Sequence, residues 1–334
     1  MKRYTEALGI SAFEEPFAKQ LLEEIRPFCD VVIQDDFGNV IGIRNSKKKS
    51  AKKLMFEAHM DRIGLMISHV CDDGRLSFVS LGGIDERILP FARVEIFARN
   101  EKIPGIIASD VCDEKRSLKM DELFIDTGRP ADEIVNKIRP GDTVILKAKT
   151  ENLSGNTLCG SAMDNRAGVA AVVSALADLK EVALPYNLYC VFTTQEELGL
   201  HGAFTVTQKI KPDFAVAVDV THGMTPDTKE EIGVFPLGSG AAICRGPNFH
   251  YSLTKKLISL AKEKRIPHTI EVAGGPSGTT AWAIQIGEGG IPVTLLSIPL
   301  RYMHTNVETL DVGDVAAVRD LLKYIAEGGM ESEQ

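Results

Sequence analysis

The pattern of hydrophobic and polar positions divides this chain into regions of two kinds. Between about residues 68 and 157, apolar side chains occur in short runs that turn residues separate, at 75–81, 92–98, 103–107 and 142–148. Such runs predict β-strands, and within this region only residues 130–138 have helical spacing. We therefore predict a small β-rich domain at 68–157, inserted between two parts of another domain.

Outside this region, helical runs alternate with continuous apolar runs. Buried strands are predicted at 54–58, 188–194, 214–218 and 293–298, and helices at 166–179, 251–264 and 312–326. This alternation is typical of a largely parallel sheet covered by helices. The predicted fold class is α/β, a mostly parallel mixed sheet sandwiched by helices, formed by residues 1–67 together with 158–334.

One more helix is predicted near the N-terminus. Its apolar stripe at helical spacing consists of Phe13, Phe17, Leu21 and Ile25. Ser11, followed three residues later by Glu14, has the spacing of a capping box that would satisfy the first backbone N–H groups of the helix.

Composition narrows the class of protein. The chain has 334 residues, of which 44% are hydrophobic and 25% charged, as expected for a globular protein of two domains. Its net charge of −8 disfavours nucleic-acid binding, because phosphates would be repelled. The N-terminus lacks the apolar run of a signal peptide and no stretch is long enough to cross a bilayer, so we expect a cytoplasmic protein without membrane contact. The six cysteines form no CxxC pair and are interpreted as free thiols.

Five residues that can bind metal ions lie at the ends of apolar, strand-like runs: His59, Asp164, Glu197, Asp219 and His304. In open parallel sheets, ligands bind beyond the carboxyl ends of the strands, so these side chains can meet in one cleft. Imidazole and carboxylate groups are the ligands that a site for two divalent cations needs, with one carboxylate bridging both ions.

Two further acids, Glu196 and Asp61, are candidates for roles beside the metal ligands. Glu196 directly precedes Glu197 at a predicted strand end, where two neighbouring carboxylates are costly to bury unless a cation compensates them. Adjacent residues point in different directions, so Glu197 can bind metal while Glu196 takes a proton from a water and returns it to a leaving amine. Asp61, two residues after His59, can orient the imidazole ring. The predicted reaction is amide hydrolysis.

Motifs around these residues resemble those of the glutamyl, deblocking and tetrahedral (TET) aminopeptidases. In order and spacing they are AHMD at 58–61, AMDNRAG at 162–168, QEELG at 195–199, AVDV at 217–220 and RYMHT at 301–305. The resemblance covers nearly the whole chain, including the β-rich insertion. It implies a zinc-exopeptidase-like catalytic domain with an inserted small β-barrel-like domain that packs subunits into dimers.

The resemblance also implies roles for the candidate residues. Asp164 would bridge two divalent ions, zinc or cobalt, with manganese possible. His59 and Asp219 would complete one site, Glu197 and His304 the other, with Glu196 as general base and Asp61 orienting His59. Peptides would be the substrates, and six dimers would assemble into a hollow tetrahedral homododecamer.

Three positions depart from the family pattern, and none of them is an implied metal ligand. They are Arg62, His201 and Thr280, where many members have an acidic residue, Arg and Asp respectively. They bear on substrate preference, which the sequence does not define. For Arg62, a solvated or salt-bridged side chain and a substrate contact are both open, and His201 is interpreted as structural.

The sequence thus predicts a metal-dependent aminopeptidase, and three alternatives stay open. A two-metal amidase or deacylase acting on small N-acylated molecules would use the same ligands. A glycosidase would need two carboxyls flanking one bond at ~5–9.5 Å, which neighbours on one strand end do not provide. An inactive peptide-binding scaffold is disfavoured because all ligands and Glu196 are present.

Overall fold

The computed structural model of the chain describes residues 1–99, 101–110, 118–225, 228 and 234–330. In chain order the strands are β1 (Val31–Gln34), β2 (Val40–Arg44), β3 (Lys53–His59), β4 (Gly64–Val70), β5 (Leu76–Leu81), β6 (Arg93–Phe97), β7 (Lys102–Ala108), β8 (Phe124–Asp126), β9 (Thr143–Leu146), β10 (Glu151–Ser154), β11 (Thr157–Gly160), β12 (Asn187–Thr193), β13 (Phe214–His222), β14 (Ala241–Arg245), β15 (His268–Val272), β16 (Val293–Leu300) and β17 (Glu308–Asp311). The helices are α1 (Lys2–Thr5), α2 (Glu15–Ile25), α3 (Ala131–Lys137), α4 (Met163–Asp178), α5 (His201–Ile210), α6 (Tyr251–Glu263), α7 (Thr280–Gln285) and α8 (Val312–Tyr324).

An eight-stranded mixed sheet forms the centre of the larger part of the molecule. Its strand order is β1-β2-β12-β3-β13-β16-β14-β15. The four central strands, β12, β3, β13 and β16, run parallel, whereas β2 and β14 pair with them in antiparallel orientation. The carboxyl ends of the four parallel strands therefore meet at one edge of the sheet.

Helices cover both faces of this sheet, because both faces are apolar. On β3, Leu54, Phe56 and Ala58 pack into the core beneath α2, α4, α6 and α8, whereas Met55 packs into the opposite core beneath α5 and α7. Strands buried on both faces read as continuous apolar runs, which is why their positions were visible in the sequence. The predicted α/β sandwich is confirmed.

The β-rich region forms a closed barrel with strand order β4-β5-β8-β7-β6-β9 and its own apolar core. Its strands extend from Gly64 to Leu146, so the barrel begins four residues before the predicted insertion. Of the next two strands, β11 pairs with both β10 and β17, which gives a small antiparallel sheet outside the barrel. The prediction of a barrel-like insertion is confirmed, and the domain limits stay a prediction.

The predicted capping box at the N-terminus is wrong. Helix α2 begins at Glu15, after Glu14, without a side-chain cap. Ser11 instead donates to Asp61 (Oγ to Oδ2, 2.5 Å), and Glu14 Oε1 accepts from the backbone N–H groups of Ala12 and Gln195. Buried acids elsewhere in the fold need these donors, and that need overrides the local capping pattern.

Two smaller sequence predictions concern cysteines and membrane spans. The described cysteines, Cys29, Cys71, Cys159, Cys190 and Cys244, are free thiols, and Cys112 lies outside the described residues. Over the described ranges, no helix has the length and apolar character that crossing a membrane requires.

Candidate active site

The predicted site residues come together at the carboxyl ends of the parallel strands. His59 is the last residue of β3, Glu196 and Glu197 follow β12, and His304 lies in the loop after β16. Asp219 lies inside β13 rather than at its end, because pairing with β16 continues to His222. Asp164 lies just before the first regular turn of α4, where its own backbone is not helical. Residues from five segments of the chain thus meet at one edge of the sheet.

Two groups of ligand atoms share Asp164. In the first group, His59 Nε2 lies 3.1 Å from Asp164 Oδ1 and 3.7 Å from Asp219 Oδ1. In the second group, His304 Nε2 lies 3.2 Å from Asp164 Oδ2 and 3.3 Å from Glu197 Oε2. Within each group the ligand atoms all lie within 4.8 Å of one another, so each could hold a cation. One oxygen of Asp164 faces each group.

Asp61 lies behind the first group and is fully buried. Its carboxylate accepts hydrogen bonds from the backbone N–H groups of Glu196 (3.0 Å) and Glu197 (3.2 Å) as well as from Ser11. Its Oδ1 lies 3.4 Å from His59 Nδ1. Asp61 therefore fixes the backbone of both acids while its charge faces the ring nitrogen of His59 that points away from the cluster.

His304 is held by two groups that sequence reasoning missed. Its Nδ1 lies 2.7 Å from the backbone carbonyl oxygen of Gly83, in the barrel, and its backbone N–H donates to Glu308 Oε1 (2.9 Å). Glu308 Oε2 also accepts from the N–H groups of Met163 (2.6 Å) and Asp164 (3.3 Å). A ring that donates from Nδ1 presents Nε2 to a cation. In the sequence, the position of Glu308 four residues after His304 was the available sign that the two residues could interact.

Glu196 stands apart from both groups, at the wall of the cleft. Its Oε2 lies 4.0 Å from His59 Nε2, and its side chain is about 10% exposed. The neighbouring Glu197 turns toward His304 instead. The two acids thus face different partners, as expected for consecutive residues with separate roles.

The electrostatics of the site indicate an excess of negative charge. Burial raises the pKa of Glu196, Glu197 and Asp219, and neighbouring carboxylates raise it further. Although burial alone would lower the pKa of His304, Asp164 and Glu197 raise it to about 11, and the acids around His59 likewise raise its pKa. By the same contacts, the two imidazoles hold the pKa of Asp164 below its usual range, against the effect of burial.

Divalent cations fit this arrangement. Buried carboxylates that crowd together are compensated by cations, and His with Asp and Glu is a donor set that zinc and related ions accept. One buried carboxylate oxygen, Glu197 Oε1, has no hydrogen-bond partner among the described residues. Buried polar atoms normally have a partner, and a cation would supply one here.

Two buried arginines lie behind the acids. Arg62 is only 3% exposed, and its Nη1 donates to the carbonyl of Thr5 (3.4 Å). Burial lowers its pKa to about 10, which the charges of Glu308 and Glu197 oppose. Arg166 is fully buried over the ring of Phe17. The interpretation of Arg62 as a solvated side chain is wrong, because it offsets buried charge behind the ligands.

Thr280 and His201, the other departures, have structural partners. Thr280 is buried and donates from Oγ1 to Glu57, which also accepts from Thr193 Oγ1 (2.6 Å). Burial raises the pKa of Glu57 to about 7. His201 begins α5 with its Nδ1 3.2 Å from Gln195 Oε1, and it belongs to neither ligand group.

A cleft of about 590 Å³ opens over both ligand groups. Besides His59, Asp164, Glu196, Glu197, Asp219 and His304, it is lined by Thr221 and His222 of β13, Cys244 of β14, Glu271 of β15 and Ser277 to Thr279 before α7. A cleft of this size accommodates a side chain with its flanking peptide groups.

Comparison with known proteins shows what this chain resembles. The family model described as M42 glutamyl aminopeptidase matches residues 38–321. The lysyl aminopeptidase of Pyrococcus furiosus is 32% identical over 98% of this chain and 96% of its own length. An aminopeptidase from the archaeon Desulfurococcus kamchatkensis superposes with a TM-score of 0.93 at 33% identity, covering 99% and 96% of the two chains. The TET1 peptidase of Pyrococcus horikoshii gives 0.86 at 29% identity, covering 98% of each.

Proposed function

Because this chain belongs to the M42 glutamyl aminopeptidase family, we propose that it removes N-terminal residues from peptides with a water activated between two divalent cations. The observation that carries this proposal is the position of Asp164. Each of its two carboxylate oxygens faces a separate group of one imidazole and one further carboxylate. A carboxylate so placed can bridge two ions.

Five residues would hold the ions. His59 and Asp219 would complete the first site, Glu197 and His304 the second, with Asp164 shared between them. The donor set suits zinc or cobalt, and manganese is compatible. When bound, the two cations would act as Lewis acids that lower the pKa of a bound water and polarise the scissile carbonyl.

Glu196 would serve as the general base. It lies at the cleft wall beside the first group, with its Oε2 4.0 Å from His59 Nε2. Burial raises its pKa, which favours proton uptake. Glu196 would take the proton of the attacking water and deliver it to the leaving amine.

Asp61, Glu308 and Gly83 would act as positioning groups. Asp61 fixes the backbone at Glu196 and Glu197, and Glu308 fixes it at Asp164 and His304. Gly83 orients the His304 ring through its carbonyl. Support of this kind keeps ligands in the geometry that metal binding requires.

The test is release of amino acids from matched unblocked and N-acetylated peptides. The protein is stripped with a chelator and then restored with zinc, cobalt or manganese. Metal-dependent cleavage confined to free N-termini is the expected result. Cleavage of acetylated substrates alone would assign the site to a deacylase. No cleavage with any of the metals would favour the peptide-binding alternative.

The proposed assembly is a tetrahedral homododecamer built from dimers in which barrels pack together. The TET1 peptidase of Pyrococcus horikoshii is described as assembling into a tetrahedron or a large octahedral shell. Enclosed active sites would admit peptides and exclude folded proteins. Light scattering should give about twelve times the chain mass, and a mass of one or two chains would contradict the assembly. The cytoplasmic location stays a prediction from the sequence.

A further inference from the structure

A carboxylate without a role in the proposed reaction lines the cleft. Glu271 lies on β15, the edge strand of the sheet, where it pairs in register with Cys244 of β14. Both residues face the cleft, as do Asp219 and Thr221 of β13. Beyond the two ligand groups, the cleft is therefore lined by an acid on the edge strand of the sheet.

The carboxylate of Glu271 is half-buried and held in place from one side. Its Oε1 accepts a hydrogen bond from Thr221 Oγ1 (2.7 Å), and among the described residues Oε2 has no partner in hydrogen-bond geometry. Burial raises the pKa of Glu271, and the hydroxyls of Thr221 and Ser297 and the thiol of Cys244 oppose that rise. The carboxylate lines the cleft and can accept further hydrogen bonds, so it is suited to a ligand that brings a donor.

The charges of the cleft indicate that this ligand is a cation. Two divalent ions would offset the four carboxylates of Asp164, Glu196, Glu197 and Asp219. Asp61 and Glu308 lie outside that set, near the buried arginines. Among the residues that the structure describes, no salt bridge joins Glu271 to a lysine or arginine, although the imidazole of His222 acts on its charge.

The position of Glu271 suits the side chain of the residue being removed. Its partner Thr221 lies two residues beyond Asp219 on the same strand, a rise of about 7 Å. A lysine side chain reaches about 6 Å from Cα to Nζ. A substrate whose N-terminal carbonyl lies at the ligand groups can thus bring an ammonium or guanidinium group to Glu271.

We propose that Glu271 is a specificity residue that binds the side-chain cation of an N-terminal Lys or Arg. This inference rests on the proposed aminopeptidase function and adds the substrate class. Thr221 orients the carboxylate, which accepts the hydrogen bond from the substrate.

The test compares two substrates that differ in the terminal amine. Lysyl and norleucyl p-nitroanilides share a four-carbon side chain, and only lysine carries the charge. For the metal-loaded wild-type protein, we expect kcat/KM to favour lysine about tenfold or more, as one charge-assisted hydrogen bond provides. In Glu271→Gln, the ratio of lysine to norleucine should fall ~10- to 100-fold.

Two further variants complete the series. Glu271→Asp keeps the charge but withdraws it by one methylene, so its ratio should lie between those of wild type and Glu271→Gln. Glu151→Gln, at an exposed position on β10, is the matched control and should keep the wild-type ratio. Equal losses on both substrates in Glu271→Gln would overturn the proposal, because Glu271 would then serve the α-amine or the fold. A wild-type preference for norleucine would overturn it as well.

A second measurement separates this inference from the proposed function. Calorimetric titration compares binding of the free amino acids L-lysine and L-norleucine. Tighter binding of lysine, lost in Glu271→Gln, supports the pocket even if the protein cleaves no aminoacyl bond. Equal affinities in the wild type would overturn it even if the protein proves to be an aminopeptidase.

Discussion

The buried acid Glu14 should make the stability of this protein fall as pH rises. Glu14 is 6% exposed, and burial with the nearby charge of Asp61 raises its pKa from 4.5 to about 7, although it accepts N–H groups from Ala12 and Gln195. The folded state therefore holds a proton that the unfolded chain releases between these two values. Since the folded state binds more protons there, the free energy of unfolding decreases with rising pH.

The magnitude follows from the two pKa values. At pH 5 proton release stabilises the unfolded chain only slightly. At pH 8 it lowers the free energy of unfolding by nearly the full amount that the two pKa values allow. At about 1.36 kcal/mol for each pKa unit, this one group should cost the fold ~2.5 kcal/mol between pH 5 and pH 8. Glu14→Gln preserves an acceptor oxygen for the two N–H groups but cannot ionise.

Urea unfolding of the metal-free protein at pH 5 and pH 8 measures the effect. The stability of Glu14→Gln relative to wild type should rise by ~2.5 kcal/mol between these pH values, because other titrating groups cancel in the comparison. Glu23→Gln, exposed on α2, controls for replacing a carboxylate by an amide. If the difference between Glu14→Gln and wild type is the same at both pH values, Glu14 is ionised in the folded protein and the reasoning fails.

Three further predictions concern the site. Glu196→Gln should keep both cations and the fold but lose ~10²- to 10⁴-fold in turnover, because the base is removed while the ligands stay; steady-state kinetics with elemental analysis measures this. Asp164→Ala should release both cations, because it removes the shared ligand, and elemental analysis after dialysis counts the ions. Asp61→Asn should weaken cation binding ~10- to 100-fold, because the charge behind His59 is lost, as competition with a chelator would measure.

Each of these has its own contradicting outcome. Turnover of Glu196→Gln near the wild-type value would remove Glu196 as the base. Two ions per chain in Asp164→Ala would refute a bridging role. Unchanged affinity in Asp61→Asn would mean that its hydrogen bonds to the backbone, rather than its charge, matter for the ligands. Asp121→Asn, remote from the cleft in the barrel, serves as a control for loss of an acid.

The main elements were predictable because they depend on local patterns. Continuous apolar runs located β3, β12, β13 and β16, and helical periodicity located α4, α6 and α8 within a few residues. Asp311 caps α8, its Oδ1 accepting from the N–H of Gly313 (2.7 Å). His59, Glu197 and His304 were recognisable because each lies at or after the carboxyl end of a parallel strand, where the topology of the sheet brings loops together. Asp219 lies inside β13, and Asp164 lies at the start of α4.

The groups that support the ligands could not be predicted in this way. Ser11 and Asp61 are 50 residues apart, and His304 and Gly83 are 221 residues apart. Such contacts depend on how whole segments pack, and no periodicity encodes them. The position of Arg62 could not be predicted either. A charged side chain is usually exposed, but Arg62 is buried because the acids on other segments make an interior position favourable.

One of these distant contacts joins the barrel to the chemistry of the site. After β5, the barrel chain passes so close to the ligands that a Cβ on Gly82 would lie 3.2 Å from Glu197 Cβ and 2.8 Å from Ile63, with φ at +84°. The next residue, Gly83, provides the carbonyl that orients His304. Glu197 and His304 are the two ligands that complete the second group. The segment that follows β5 of the barrel therefore contacts both ligands that complete the second group.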